Sequence, residues 1–126
     1  MNGWKTVIGN HEIDMTQREN ERFPLQIQVD YALDEDADVL YSADISERGI
    51  FLETVCPYPV GTKLALRFNL PGSTRLICVV AEVARVVRET DHSDRWTVPG
   101  MGMAFMAIEP EDMQYIRSFI LRATGS

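Results

Sequence analysis

The sequence predicts a mainly β fold: a small six-stranded antiparallel β-barrel with one C-terminal α-helix. Three observations support this prediction. Most of the chain alternates apolar and polar side chains with a period of two, which is typical of strands with one face in water. Short segments rich in Gly, Pro and Asp separate these stretches, and only the last stretch changes to helical spacing. A chain of 126 residues has room for one ordinary domain, in which we expect the helix to cover an open end or side of the barrel.

The N-terminal residues show no sustained periodicity. We therefore predict a flexible arm over residues 1–15 and a barrel domain over residues 16–126. The first and clearest strand covers residues 25–33, where the alternating apolar residues are Leu25, Ile27, Val29, Tyr31 and Leu33. The acidic residues that follow are expected to form a solvated turn; they are Asp34, Glu35, Asp36 and Asp38.

Three further strands are predicted in the middle of the chain. The second covers residues 39–46, and a turn at residues 47–49 connects it to the third at residues 50–55. The fourth covers residues 63–70 and ends at a Pro-Gly-Ser turn. In the second strand one face carries Val39, Tyr41, Ala43 and Ile45, and in the fourth one face carries Leu64, Leu66, Phe68 and Leu70.

The last two strands precede the helix. Residues 76–87 are apolar on both faces at their start, as expected of a central strand, and Glu82 and Arg85 break the pattern where a bulge is expected. A polar loop at residues 89–95 leads to the sixth strand at residues 96–107. Pro110 suits the first position of a helix whose spaced apolar residues are Met113, Ile116, Phe119 and Ile120.

The charge of the chain argues against several functions. Twelve basic and 19 acidic residues give a formal net charge of -7, the wrong sign for a general binder of DNA, RNA or anionic membranes. No apolar run approaches the ~20 residues that span a bilayer, so we expect no membrane insertion and a cytoplasmic location. Cys56 and Cys78 lie on separate segments without a CxxC pattern or a nearby histidine. We expect two buried thiols and no zinc site.

The sequence displays no motif of an enzyme. His11 and His92 lie in polar segments away from any recognisable serine or cysteine nucleophile. Neighbouring carboxylates such as Asp34 and Asp36 are explained by turn solvation, so no metal ligand is assigned. The glycines of the Pro-Gly-Met-Gly-Met stretch precede no helix and form no phosphate-binding loop. We therefore expect no catalytic residue and no cofactor.

Two short segments carry chemistry of another kind. Arg18 and Arg22 lie four residues apart just before the first strand, and residues 44–49 read Asp-Ile-Ser-Glu-Arg-Gly at a strand end. Taken singly, each has an ordinary explanation: arginines paired in solvent with Glu19 or Glu21, and a turn whose glycine can adopt a positive φ.

Together, in this order, the two segments resemble the ligand motif of the PilZ domain family. RxxxR matches Arg18 and Arg22, and [D/N]xSxxG matches Asp44, Ser46 and Gly49. The resemblance extends over residues 16–121, including Pro-Val-Gly-Thr at residues 59–62 and the Gly-Met-Gly-Met-Ala-Phe stretch near the end of the chain. It implies a PilZ-like split barrel that binds the bacterial second messenger cyclic di-GMP.

The resemblance also implies roles for the motif residues. Arg18 and Arg22 would pair with guanine or phosphate oxygens and stack on a base, while Asp44 would accept hydrogen bonds from a guanine edge. Ser46 would add a hydroxyl contact, and Gly49 would keep the backbone clear of the ligand. Glu19 and Glu21, which interleave with the arginines, would compete with an anion.

The implied function is that of a signalling effector. It would bind cyclic di-GMP, as one or two stacked molecules, and relay its level to an unidentified protein partner in motility or biofilm control. The alternative is a ligand-independent PilZ-like adaptor for a motility or secretion apparatus. In either case we expect no enzymatic activity and a monomer or weak dimer.

Overall fold

The computed structural model describes residues 22–88 and 98–125. Within them the chain forms seven strands and one helix in this order: β1 Phe23–Pro24, β2 Gln28–Leu33, β3 Asp36–Ser46, β4 Gly49–Glu53, β5 Lys63–Phe68, β6 Ile77–Val87, β7 Gly100–Ala107 and α1 Pro110–Ala123. The arm predicted for residues 1–15, the polar loop predicted for residues 89–95 and Arg18 lie outside the described residues.

Six of the strands close into an antiparallel barrel. Hydrogen-bonded neighbours follow the order β3, β2, β5, β6, β7 and β4, and pairing between β4 and β3 closes the ring. The long strand β3 makes this closure possible because Tyr41 pairs with Gln28 of β2 on one side and with Glu53 of β4 on the other. The predicted fold, a mainly β six-stranded barrel with a C-terminal helix, is confirmed. The short strand β1 is an addition to it and pairs with the end of β3.

The barrel interior is filled by the inward face of every barrel strand. The alternation in β5 is a clear example, because Leu64, Leu66 and Phe68 are at most 2% exposed while the residues between them are exposed. From the helix, Ile116 and Ile120 join the same core. Burial of such side chains contributes roughly 1.5–3 kcal/mol each, so this core is the main source of stability.

The face predicted for β3 is wrong over its first half. Val39 and Tyr41 are 37% and 51% exposed, whereas Leu40 packs against the core and Ser42 is fully buried. A β-bulge between Ser42 and Asp44 then adds one residue to the strand and brings Ile45 inward. The apolar–polar alternation of the sequence continues through the bulge. Residues that would share one face of a regular strand therefore lie on opposite faces before and after it.

The prediction of two buried thiols is also wrong, since both cysteines are exposed. Cys78 lies on the outer face of β6, between the buried residues Ile77 and Val79. The apolar start of this strand therefore does not imply burial on both faces. Cys56 lies in the connection after β4, outside the core.

Helix α1 is fixed to the barrel through polar as well as apolar contacts. Asp112, rather than the predicted Met113, is buried, and its Oδ1 accepts a hydrogen bond of 2.8 Å from Nε of Arg75. The Tyr115 hydroxyl donates to Ser73 Oγ at 2.6 Å. Both bonds join the helix to the connection between β5 and β6. Among the described residues, no helix has both the length and the apolar character needed to cross a membrane.

The C-terminal half of the helix meets the chain near β1 and the turn after β3. The rings of Phe119 and Phe23 pack edge to face with centroids 5.9 Å apart. Nε of Arg117 lies 3.7 Å from Oε2 of Glu47. The helix is thus in contact with the barrel domain along both its N-terminal and its C-terminal half.

Candidate ligand-binding site

The turn between β3 and β4 is built into the barrel. Ser46 pairs with Gly49 across a two-residue turn, and the carbonyl of Arg48 accepts a hydrogen bond of 2.9 Å from the amide of Phe105 in β7. The Ser46 hydroxyl is 1% exposed and accepts a hydrogen bond of 3.3 Å from the Arg48 amide. In this position Ser46 orders the backbone of the turn.

Gly49 is needed here because two backbones approach closely, and not because of the positive φ that its place in a turn suggests. Positive φ occurs at other described glycines, Gly61, Gly72 and Gly125, and not at Gly49. A Cβ atom on Gly49 would instead lie 2.2 Å from the carbonyl oxygen of Met103 in β7. Close approach of two backbones, and not a left-handed conformation, therefore excludes a side chain at this position.

Arg22 of the first half of the motif meets Asp44 of the second half at strand β1. Pro24 pairs with Asp44, which brings Arg22 beside the end of β3. Nε of Arg22 donates to Oδ1 of Asp44, and the two side chains remain 39% and 28% exposed. Residues that are 22 positions apart in sequence are thereby in direct contact and open to solvent.

Ser42 holds the chain that carries Arg22 in place. Strands β1 and β2 are one extended segment interrupted at residues 25–27, where the regular ladder is broken. The buried Ser42 hydroxyl fills this interruption: it donates to the carbonyl of Leu25 and accepts from the amide of Ile27 at 3.1 Å. Two backbone groups that would otherwise lack a partner are satisfied by one side chain.

A depression of about 210 Å³ lies next to this contact, and it is lined in part by Arg22, Ser46, Arg48 and Gly49. Arg85 of β6 lines its opposite wall. Three arginines thus surround a space on a protein whose net charge is -7. Such an arrangement suits a compact anion with planar groups, because guanidinium groups bind phosphate and carboxylate oxygens through two parallel hydrogen bonds.

The model of the PilZ domain matches residues 16–122. The chain belongs to the PilZ domain family. PilZ domains are binding domains rather than enzymes, and the family is associated with cyclic di-GMP as its ligand. The match includes all the positions that carry the sequence motif and the whole of the barrel.

A solved structure similar to this PilZ domain is that of the Bacillus subtilis inhibitor of motility MotI/DgrA, with a TM-score of 0.68 and 20% sequence identity. The alignment covers 82% of this chain and 48% of that one, so the present chain corresponds to about half of the MotI/DgrA chain. At this identity the likeness concerns the fold. No curated protein sequence matches the chain.

Of the residues predicted to bind a ligand, the PilZ barrel brings four together. Arg22 and Asp44 are in contact, and Ser46 and Gly49 lie one turn further along the wall of the same depression. The fifth, Arg18, lies outside the described residues. His11 and His92, for which no role is predicted, also lie outside them.

Sequence reasoning missed Arg85. It assigned this arginine only to an irregular point of β6, whereas the irregularity is what brings it to the site. Val83 pairs with Met103 and Arg85 pairs with the adjacent Gly102, so Ala84 is an extra residue in β6. The bulge turns Arg85 to the outer face of the barrel. The broken alternation at Arg85 was the available signal.

The barrel has a second and larger depression, of about 620 Å³, on the outer side of β2, β3 and β5. We call this surface the hairpin face, and the surface of β4, β6 and β7 around the first depression the site face. The hairpin face carries the carboxylates of Asp30 and Asp38, with Arg67 at its edge. Its size exceeds that of the other depression, but its charge is unsuited to an anionic ligand.

Proposed function

We propose that this PilZ domain binds cyclic di-GMP at the site face and relays the occupancy of the site to a protein partner. The observation that carries the proposal is the contact between Arg22 and Asp44 at the edge of a depression with two further arginines. In this proposal Arg18 and Arg22 bind phosphate or guanine oxygens, Asp44 accepts from a guanine edge, and Gly49 leaves room for the ligand.

The ion pair between Arg22 and Asp44 is easily exchanged for contacts with a ligand. Both side chains are partly exposed, and exposed ion pairs contribute only about 0–1 kcal/mol. A guanine offers N7 and O6 to an arginine and the N–H donors of its Watson–Crick edge to a carboxylate, so both groups gain new partners when the pair opens. The pair therefore keeps the two side chains in place at a small cost to binding.

The roles of Ser46 and Gly49 follow from their surroundings. Ser46 is buried and hydrogen-bonded within the turn, so its contribution is mainly to place Asp44 and the turn backbone. Gly49 permits β4 to approach β7 closely, which sets the floor of the depression. Loss of either is expected to affect the fold and the binding together.

Motility is the process we propose for the relay. The support is the fold likeness to a protein whose description is an inhibitor of motility. The partner, the cytoplasmic location and a monomeric or weakly dimeric state belong to the same proposal.

Titration calorimetry with cyclic di-GMP tests the binding. We expect Arg22→Ala and Asp44→Ala each to weaken binding more than tenfold, roughly 1.4 kcal/mol or more, because each removes a charged partner of the ligand. Matched controls are Arg67→Ala and Asp30→Ala, an arginine and a carboxylate that also face each other, at 3.8 Å, on the hairpin face. The controls should bind as the parent does.

The absence of heat and of any thermal shift with ~100 μM cyclic di-GMP would contradict the proposal, because a site of that affinity stabilises the fold measurably. Equal losses in the controls and in the site variants would show that the effect is general and not local.

A ligand-independent adaptor is the second candidate. The observation that favours it is again the ion pair, since Arg22 and Asp44 satisfy each other without a ligand. This candidate predicts no calorimetric signal from the nucleotide, together with capture of the same protein partner by the parent and by Asp44→Ala.

A further inference from the structure

Arg85 lies in a row of three residues that crosses the site face. Strand β7 pairs with β4 on one side and with β6 on the other, and Gly102 is opposite Phe51 in the first pairing and opposite Arg85 in the second. The middle position of the row has no side chain. The side chains of its two neighbours therefore extend towards each other over the strand between them.

The glycine leaves the room that Arg85 occupies. A Cβ atom on Gly102 would lie 3.0 Å from Cγ and 3.3 Å from Nε of Arg85, which is closer than ordinary contact. The guanidinium carbon of Arg85 lies 5.3 Å from the centre of the Phe51 ring, within the range of a cation–π interaction. Arg85 is thus directed across Gly102 onto an aromatic ring.

The Phe51 ring is itself fixed. It is 4% exposed, and a Cβ atom on Gly100 would approach its Cε2 to 2.7 Å, so the backbone of β7 passes directly beside the ring. A fixed ring restricts the guanidinium in contact with it, which lowers the conformational entropy that Arg85 loses when a ligand binds.

Arg85 has no other evident task in the described part of the molecule. Among residues 22–88 and 98–125, no carboxylate lies within ion-pair distance of it. Its side chain is exposed, and it lines the same depression as Arg22 and Gly49. A planar cation held at the wall of a depression of about 210 Å³ is a surface on which a base can stack.

We propose that Arg85, supported by Phe51 across Gly102, is the platform on which one purine of the bound nucleotide stacks. The inference rests on the proposed function and adds a specific role to it: Arg22 and Asp44 bind the edges and phosphates of the ligand, while Arg85 binds the flat face of a base. The platform needs the planarity of the guanidinium, and its charge is secondary.

The test separates planarity from charge by calorimetry with cyclic di-GMP. Arg85→Ala and Arg85→Lys should each weaken binding about tenfold, because neither offers a planar group. Arg85→Tyr, which is planar and uncharged, should bind within about threefold of the parent. Gly102→Ala should weaken binding without removing the arginine, because its Cβ displaces Arg85 from the ring. Arg67→Lys on the hairpin face is the matched control and should have no effect.

Two results would overturn the inference while leaving the proposed function intact. If Arg85→Lys binds like the parent and Arg85→Tyr does not, Arg85 provides charge alone. If all the variants at residue 85 bind like the parent, Arg85 does not contact the ligand. A parent protein that binds no cyclic di-GMP would instead overturn the proposed function, and the inference with it. Melting temperatures without ligand, expected to match the parent for the exposed Arg85, exclude loss of fold as the cause.

Discussion

The site face and the hairpin face of this barrel are made of the same kind of strand but differ in charge and in regularity. On the site face the depression is bordered by three arginines, Arg22, Arg48 and Arg85. On the hairpin face the larger depression is bordered by carboxylates such as Asp30 and Asp38. Among the described residues, the charges around the two depressions are therefore distributed unevenly, and the one bordered by three arginines is the better suited to an anion.

The regularity of the ladder differs in the same way. On the hairpin face β2 pairs with β3 and β5 without any shift of register, and the outward residues in the centre are small, Ala32, Ala37 and Ala65. Around the site face the ladder has three shifts of register, one in the pairing of β3 with β4 and two in the pairing of β6 with β7, and two glycines lie at close backbone approach. A regular ladder can only alternate side chains. Two of the shifts lie next to Asp44, which contacts Arg22, and next to Arg85, which lines the depression.

The largest effect on stability should come from adding a side chain at the tightest backbone contact on the site face. Gly49→Ala should lower the free energy of unfolding by about 3 kcal/mol, because its Cβ would meet the Met103 carbonyl oxygen at 2.2 Å and the backbone would have to separate. Gly72→Ala, in an open turn with a φ of 78°, should cost about 1 kcal/mol through backbone strain alone. Urea denaturation measures both. Equal losses would mean that β4 and β7 do not depend on this approach.

A smaller effect is expected where the first strand is interrupted. Ser42→Ala should destabilise the fold by about 2 kcal/mol, since it leaves the Ile27 amide and the Leu25 carbonyl without their partner in a part-buried position. Thr54→Ala removes an exposed bond of 3.0 Å to the amide of Cys56 and should cost about 0.5 kcal/mol. If the two variants lose the same free energy of unfolding, water replaces the Ser42 hydroxyl. The gap between β1 and β2 is then accessible to solvent.

On the hairpin face, the expected effect on stability comes from the titration of Tyr31 and appears only at alkaline pH. Burial, together with the neighbouring Tyr58 and the carboxylates of Asp38 and Asp36, raises the pKa of Tyr31 from 10.0 to about 12. The fold therefore favours the neutral phenol. This contribution to stability is complete below pH 10 and is lost as the pH rises through about 12.

Tyrosinate absorbance during an alkaline titration measures this pKa directly. Tyr31→Phe should remove one titration near pH 12 and reduce the alkaline loss of stability, with little change at neutral pH. A Tyr31 that titrates near 10 in the folded protein would show that the barrel end at Tyr31 and Tyr58 is open to water.

The smallest effect should come from the ion pair on the hairpin face. Arg67→Ala removes a pair in which the atoms are 3.8 Å apart and the side chains 60% and 46% exposed. Its free energy of unfolding should stay within about 0.5 kcal/mol of the parent by urea denaturation. A loss of stability comparable to that of Ser42→Ala would indicate that the hairpin face depends on its ion pair and not on its regular ladder.

Much of the fold could be predicted from the sequence because its determinants are local. The alternation in β5 and the helical spacing of Ile116 and Ile120 each belong to one element, and both predictions are confirmed. Errors arose where a second strand decides the outcome. The bulge after Ser42 depends on register with β4, so the apolar residues Val39 and Tyr41 were placed on the wrong face.

In the candidate site, too, the sequence predicts what is local and misses what depends on a second strand. The motif identified Asp44 and Arg22 from their order in the chain, although only the pairing of β1 with β3 brings them into contact. The reason for Gly49 could not be found in its own neighbourhood, because it is a carbonyl more than 50 positions away, that of Met103. Arg85 was missed for a similar reason, since its direction depends on a bulge opposite β7.

The two contacts of helix α1 near the site have a mechanical consequence. Phe23, which packs against Phe119, is the chain neighbour of Arg22, and Glu47, which faces Arg117, is the chain neighbour of Ser46. The helix therefore contacts the segment that carries Arg22 and the turn that follows Ser46, one residue away from each. A change in the spacing of these two segments would therefore alter both contacts of α1 at once.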